Sequence, residues 1–196
     1  MPAELRKARD LQLLDAVDAF AREPFEGRVW RCVRDGRDPT VGSPSQSRWC
    51  NGQFDVLYTS LKKDGAIAEI DALLSLQPVF PSKIRWDCYE LKVRSSKTLR
   101  IADLATLQRL GVETTTYRER HYERTQSIAD AAFFLGFDAL IVPSARWACH
   151  NLVLFTGRLQ PADIELEGSI GGPIDWPEWR RHAARTSRTS LPHQSK

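Results

Sequence analysis

Ala139-Leu140-Ile141-Val142-Pro143-Ser144 and, after residues 145–150, Asn151-Leu152-Val153-Leu154-Phe155 are two brief apolar runs set close together. Runs of this length with a proline stop read as buried strands, from Ala139 to Val142 and from Leu152 to Phe155. Just upstream, Ile128, Ala131, Ala132 and Leu135 recur at helical spacing, and Gly136 stands where a helix commonly ends. A second, shorter helix is predicted over about residues 102 to 110, with Leu104, Leu107 and Leu110 on one side and Gly111 behind it. Farther back, Ile84 to Val93 alternates apolar and polar residues as a half-buried strand does, with a phase slip at Cys88-Tyr89 that predicts a bulge.

The N-terminal half continues the mixture. Leu13, Val17 and Phe20 form the stripe of an amphipathic helix over residues 4 to 22, with Pro24 as its stop. Residues 28 to 33 read as a strand carrying Trp30 and Arg31. A Gly, Pro and Ser-rich loop follows from Asp35 to Ser47, and Phe54 to Ser60 has the residue types of another strand. After Asp64-Gly65, residues Ala66, Ile67, Ile70, Leu73 and Leu74 take helical spacing, with Glu69 near the start of that helix. Helices and strands intersperse without a regular βαβ rhythm, so the expected class is α+β.

At 196 residues and 42% hydrophobic, the chain suits one domain with a full core. The net charge of +3 is carried by the end of the chain. Residues 180 to 196 hold five basic residues and no acidic one, leaving −2 over the rest, so the body makes no general case for direct nucleic-acid binding. This low-apolar tail is expected to be frayed. Cys32, Cys50, Cys88 and Cys149 form no Cys-x-x-Cys pair and have no His partner at ligand spacing, so no metal site is expected and buried free thiols are. No stretch approaches the roughly 18 apolar residues of a membrane span, and charges interrupt the N-terminal segment. A soluble, cytoplasmic protein is the expectation.

Several residues could carry chemistry. Arg31 and Arg48 could each offer a guanidinium fork to a phosphate, or lie solvated at an edge. Trp49 beside Arg48 could wall a site or fill the core. Tyr58 could stack on a planar ligand or simply pack. Glu69 sits among Ala66, Ile67, Ala68 and Ile70, where a carboxylate must reach solvent or find a partner. Facing a cleft, it could stabilise an oxocarbenium-like transition state. Ser144 could bind a phosphate or ribose oxygen or form a turn, and it has no nucleophile elbow around it. The triplet His121-Tyr122-Glu123 reads as coincidence in a polar stretch.

The order Gly27-Arg28-Val29-Trp30-Arg31, Ser47-Arg48-Trp49, Val56-Leu57-Tyr58, Ala66-Ile67-Ala68-Glu69, Leu140 to Arg146 and Asn151 to Phe155 resembles the RES domain family. The resemblance spans roughly residues 27 to 157. It implies an ADP-ribosyltransferase-like mixed sheet with flanking helices, and a division into an N-terminal helix (1–26), a RES domain (27–160) and a C-terminal extension (161–196). It implies a toxin that destroys NAD as substrate, by hydrolysis or with inorganic phosphate as co-substrate. An Xre-like helix-turn-helix antitoxin would neutralise it and supply any contact with DNA. Arg31 and Arg48 would then hold pyrophosphate or phosphate, and Tyr58 would pack on the nicotinamide riboside. Glu69 would hold ribose and stabilise the cation, with Ser144 and Asn151 binding ribose or phosphate. Gln46-Ser47 stands where the family usually has Gly-Gly before its arginine, which puts phosphate handling in question. Two other readings stay open: a mono-ADP-ribosyltransferase that modifies a protein, and a catalytically silent binding module. A self-complementary homodimer is the generic expectation.

Overall fold

The computed structural model describes residues 8–169 and 171–189. In chain order the elements are α1 (Leu11–Asp18), β1 (Glu23–Arg34), β2 (Gln46–Ser47), β3 (Cys50–Asn51), β4 (Val56–Ser60), α2 (Lys63–Leu74) and β5 (Trp86–Arg100). They continue with α3 (Leu104–Arg109), α4 (Glu123–Phe134), β6 (Ala139–Pro143), β7 (His150–Phe155), β8 (Ile164–Ser169) and α5 (Trp176–Thr189).

Six strands form one mixed sheet in the order β1-β4-β7-β6-β5-β8, and β1 also pairs with β5. The sheet therefore closes on itself. The length of β5 makes this possible: β1 runs along one side of it, while the other side takes β8 over residues 89–93 and β6 over residues 98–100. Asp138 secures the crossover by accepting from the Ser96 hydroxyl and the Lys97 amide, at 2.8 and 3.0 Å. The weak point of the ring is between β1 and β4, which pair only at Trp30 and Ser60.

Period-two alternation sorts the side chains. Ala139 and Ile141 of β6, Leu152 and Leu154 of β7, Leu57 of β4 and Val29 of β1 fill one cluster. Leu140, Val142, Val153, Phe155 and Val56 point the other way, into a cluster capped by α1, α3 and α4. Both faces of β6 and β7 are thus buried, which is why these strands read as unbroken apolar runs. A third cluster joins the ends of β1 and β5 to α2 and Trp176 of α5.

Some boundaries differ from the sequence reading. α1 ends at Asp18, and Pro24 lies inside β1, so the proline does not stop the helix; residues 1–7 fall outside the described residues. No bulge occurs at Cys88-Tyr89, where β1 and β5 stay in register. The slip in pattern has another cause: Cys88 faces the third cluster and Leu91 the interior one, so each is buried on a different side of the strand. The tail is helical up to Thr189, and Trp176 at its start is 4% exposed. Residues 190–196 lie outside the described residues.

Candidate functional site

The site lies where β1 and β4 part. A cavity of about 370 Å³ opens there, lined among others by Trp30, Arg31, Arg48, Tyr58, Glu69 and Asn151. That volume falls in the range of small-molecule sites.

β4 and β7 set its floor. Tyr58 shares a face with Val56, and Asn151 lies opposite Ser60 on the paired strand, so alternation brings Tyr58 and Asn151 to the same side. The Tyr58 hydroxyl shares a 2.6 Å hydrogen bond with Ser47 and accepts one from the Trp49 amide at 2.8 Å. Burial raises its pKa well above the ordinary tyrosine value. Tyr58 therefore stays neutral and serves as a fixed post, not a base.

That post holds the small hairpin β2–β3, with Arg48 and Trp49 at its tip. Trp49, 2% exposed, is sunk in the core. Gln126 of α4 donates to the carbonyls of Ser47 and Cys50, at 2.8 and 3.1 Å. No non-glycine residue in the described chain has a positive φ, so Gln46 and Ser47 build this hairpin without backbone strain. Arg48 is held by two rings, Tyr117 at 4.5 Å and Tyr122 at 4.9 Å, and donates to the Glu119 carbonyl at 3.1 Å.

Arg31 sits on the β1 wall. Its Nη1 is buried with no hydrogen-bond partner, and no carboxylate pairs with it among the described residues. Burial pulls its guanidinium down to about 10, against an opposing pull from Asp38. Arg120 and Arg146 also line the cavity.

Glu69 comes from the middle of α2, farther into the helix than the sequence suggests. Its Oε1 accepts from the Ser144 hydroxyl and from Asn151 Nδ2, both at 2.8 Å. Ser144 itself accepts from the Arg146 and Trp147 amides, at 3.1 and 3.2 Å, and it borders a neighbouring groove while Glu69 lines the cavity. α2 can come this close to the sheet because Gly65 has no side chain. A Cβ there would lie 2.3 Å from Ser60 Oγ and 2.5 Å from Cys149 Sγ.

Arg31, Arg48, Tyr58, Glu69 and Asn151 thus converge on one cavity, while Ser144 acts on it through Glu69. Two of the four orphaned buried polar side-chain atoms among the described residues, Arg31 Nη1 and Asn151 Oδ1, belong to this site. Such atoms are expensive unless a ligand or water satisfies them. Sequence reasoning missed Tyr117 and set Tyr122 aside as part of a coincidental triplet, because both lie in the most polar stretch of the body. Tyr117 is 5% exposed and donates to the Pro143 carbonyl at 2.8 Å.

A family model described as the RES domain matches residues 28–177. Among solved structures, the chain is similar to one in the crystal structure of the M. tuberculosis MbcT–MbcA toxin–antitoxin complex. The TM-score is 0.78 at 18% identity, covering 90% of this chain and 100% of that one. No curated protein matches the sequence. The fold is α+β and ADP-ribosyltransferase-like.

Proposed function

The chain belongs to the RES domain family, and from that membership we propose that it is a toxin that cleaves the bond between nicotinamide and ribose in NAD. The observation that carries the reading is the pairing of Arg31, whose buried Nη1 has no partner among the described residues, with an anchored carboxylate, Glu69, in one cavity. A dinucleotide offers the complement of both: an anionic pyrophosphate and a ribose carbon that becomes cationic.

In this mechanism Arg31 and Arg48 bind the pyrophosphate, and Tyr58 bounds the nicotinamide riboside. When the bond between ribose C1′ and the pyridinium nitrogen breaks, its electron pair goes to the nitrogen and nicotinamide leaves neutral. No general acid is required at the leaving group. The positive charge moves to C1′ and the ring oxygen. Glu69 stabilises it with Oε2, which has no partner among the described residues, while Ser144 and Asn151 hold Oε1. Water or inorganic phosphate then captures C1′, giving ADP-ribose or its 1″-phosphate.

The partner in this reading is an Xre-like antitoxin; the similarity to a chain from a toxin–antitoxin complex supports an antitoxin as partner. The test is to incubate the full-length protein with NAD, with and without inorganic phosphate, and follow nicotinamide. Release in either condition supports the proposal, and a faster rate with phosphate favours phosphorolysis. NAD left intact in both contradicts it.

A further inference from the structure

Two of the four cysteines face each other across a strand pair. Cys32 of β1 is in register with Cys88 of β5. The type of pairing follows from one backbone bond: the Asp35 amide donates to the Arg85 carbonyl directly opposite, at 3.0 Å, which marks residues 35 and 85 as a hydrogen-bonded pair. Such pairs alternate along an antiparallel ladder. Three residues farther on, Cys32 and Cys88 form a non-hydrogen-bonded pair, the kind whose Cα atoms approach to about 4.5 Å with side chains drawn together. Disulfides need Cα separations of about 4.4–6.8 Å.

The other two thiols are engaged elsewhere. Cys50 Sγ donates to the Phe54 carbonyl at 3.3 Å, and Cys149 Sγ contacts Ser60 Oγ at 3.3 Å. The neighbouring Cys88 raises the Cys32 thiol and Cys32 lowers that of Cys88, with nearby Lys63 pulling both downward. Access is available on one side: Cys32 lines the cavity, whereas Cys88 is buried behind it at 2% exposure.

We propose that Cys32 and Cys88 form a reversible cross-strand disulfide, a redox modification site at the wall of the cavity that takes hydrogen peroxide as its oxidant. The Cys32 sulfur attacks one peroxide oxygen, the O–O bond breaks, and one water leaves with the Cys32 proton, giving a sulfenic acid. The Cys88 sulfur then attacks the Cys32 sulfur. The S–S bond forms, the S–O bond breaks, and a second water carries off the Cys88 proton. The bond would tie β1 to β5 one residue from Arg31 and beneath Ala66 and Ile67 of α2, which pack in the same cluster.

The inference does not depend on the proposed activity. The full-length protein is treated with hydrogen peroxide, remaining thiols are alkylated, and peptides are mapped by mass spectrometry. The expected result is a peptide pair linking Cys32 to Cys88, alkylated Cys50 and Cys149, and full return of all thiols with dithiothreitol. The oxidised protein should also unfold at higher urea than the reduced one, and Cys88→Ser should abolish both the cross-link and the shift. Cys32 and Cys88 both alkylated after oxidation, or a link involving Cys149 or a second chain, would overturn it.

Discussion

Arg31 combines a charge, burial and no partner, and its energetics lead to a measurable expectation. A base whose folded pKa is depressed from its ordinary value to about 10 costs the folded state stability wherever it is charged below that value. The cost fades only as pH climbs from about 10 towards the unfolded value. An anion beside Arg31 relieves the same cost at neutral pH. ADP-ribose at a hundredfold excess over its Kd should therefore raise Tm by about 5–10 °C, and Arg31→Ala should remove most of that shift. Glu69→Gln tests the other half of the site. Glutamine can still accept from Ser144 and Asn151, so stability should change by less than about 1 kcal/mol. Nicotinamide release should nevertheless fall about 100-fold or more, because the lost charge acts on the transition state. Thermal melts and initial rates on the same preparation separate the two effects.

Elements matter here through what they hold still. α2 positions Glu69, and its approach depends on Gly65 lying against Ser60 and Cys149. Gly65→Ala should cost about 1–3 kcal/mol by overpacking and, by pushing α2 outward, should lower turnover of NAD as well. The outer side of α2 is gripped by α5: Arg180 pairs with Asp71 at 2.7 Å, His182 with Asp64 at 3.2 Å, and Trp176 fills the cluster beneath. These contacts differ greatly in worth. Trp176→Ala should destabilise by about 3–5 kcal/mol in urea unfolding, whereas Asp71→Ala should cost under about 1 kcal/mol, because its partner Arg180 is largely exposed. The mixed class was readable in these elements, since β6 and β7 are short unbroken apolar runs and α4 carries a helical period. The extent of β5 was not. Its polar Ser95-Ser96-Lys97 stretch looks like a loop and is held as strand by Asp138, more than forty residues away.

At the scale of the molecule, the sheet closes through β1 and β5 but pairs β1 with β4 only at Trp30 and Ser60, and the cavity occupies that gap. Closure of this kind involves residues distant in sequence and leaves no local periodic signal. The site was legible for a different reason: Arg31, Arg48, Tyr58, Glu69 and Asn151 follow a family order, and alternation along β4 and β7 then fixes which of them share a face. The link of Tyr117 and Tyr122 to the site runs through the Arg48 guanidinium that lies over both rings, itself placed by a hairpin pinned to Tyr58, and such a contact between distant residues leaves no local signal. The account rests on these groups acting together on one dinucleotide. The most direct test is the initial rate of nicotinamide release from NAD by the full-length protein, measured with phosphate present beside Arg31→Ala and Glu69→Gln. Steady release by the native chain and near-abolition in both variants is the predicted result. No release by the native chain, or release unaffected by either substitution, would contradict the account.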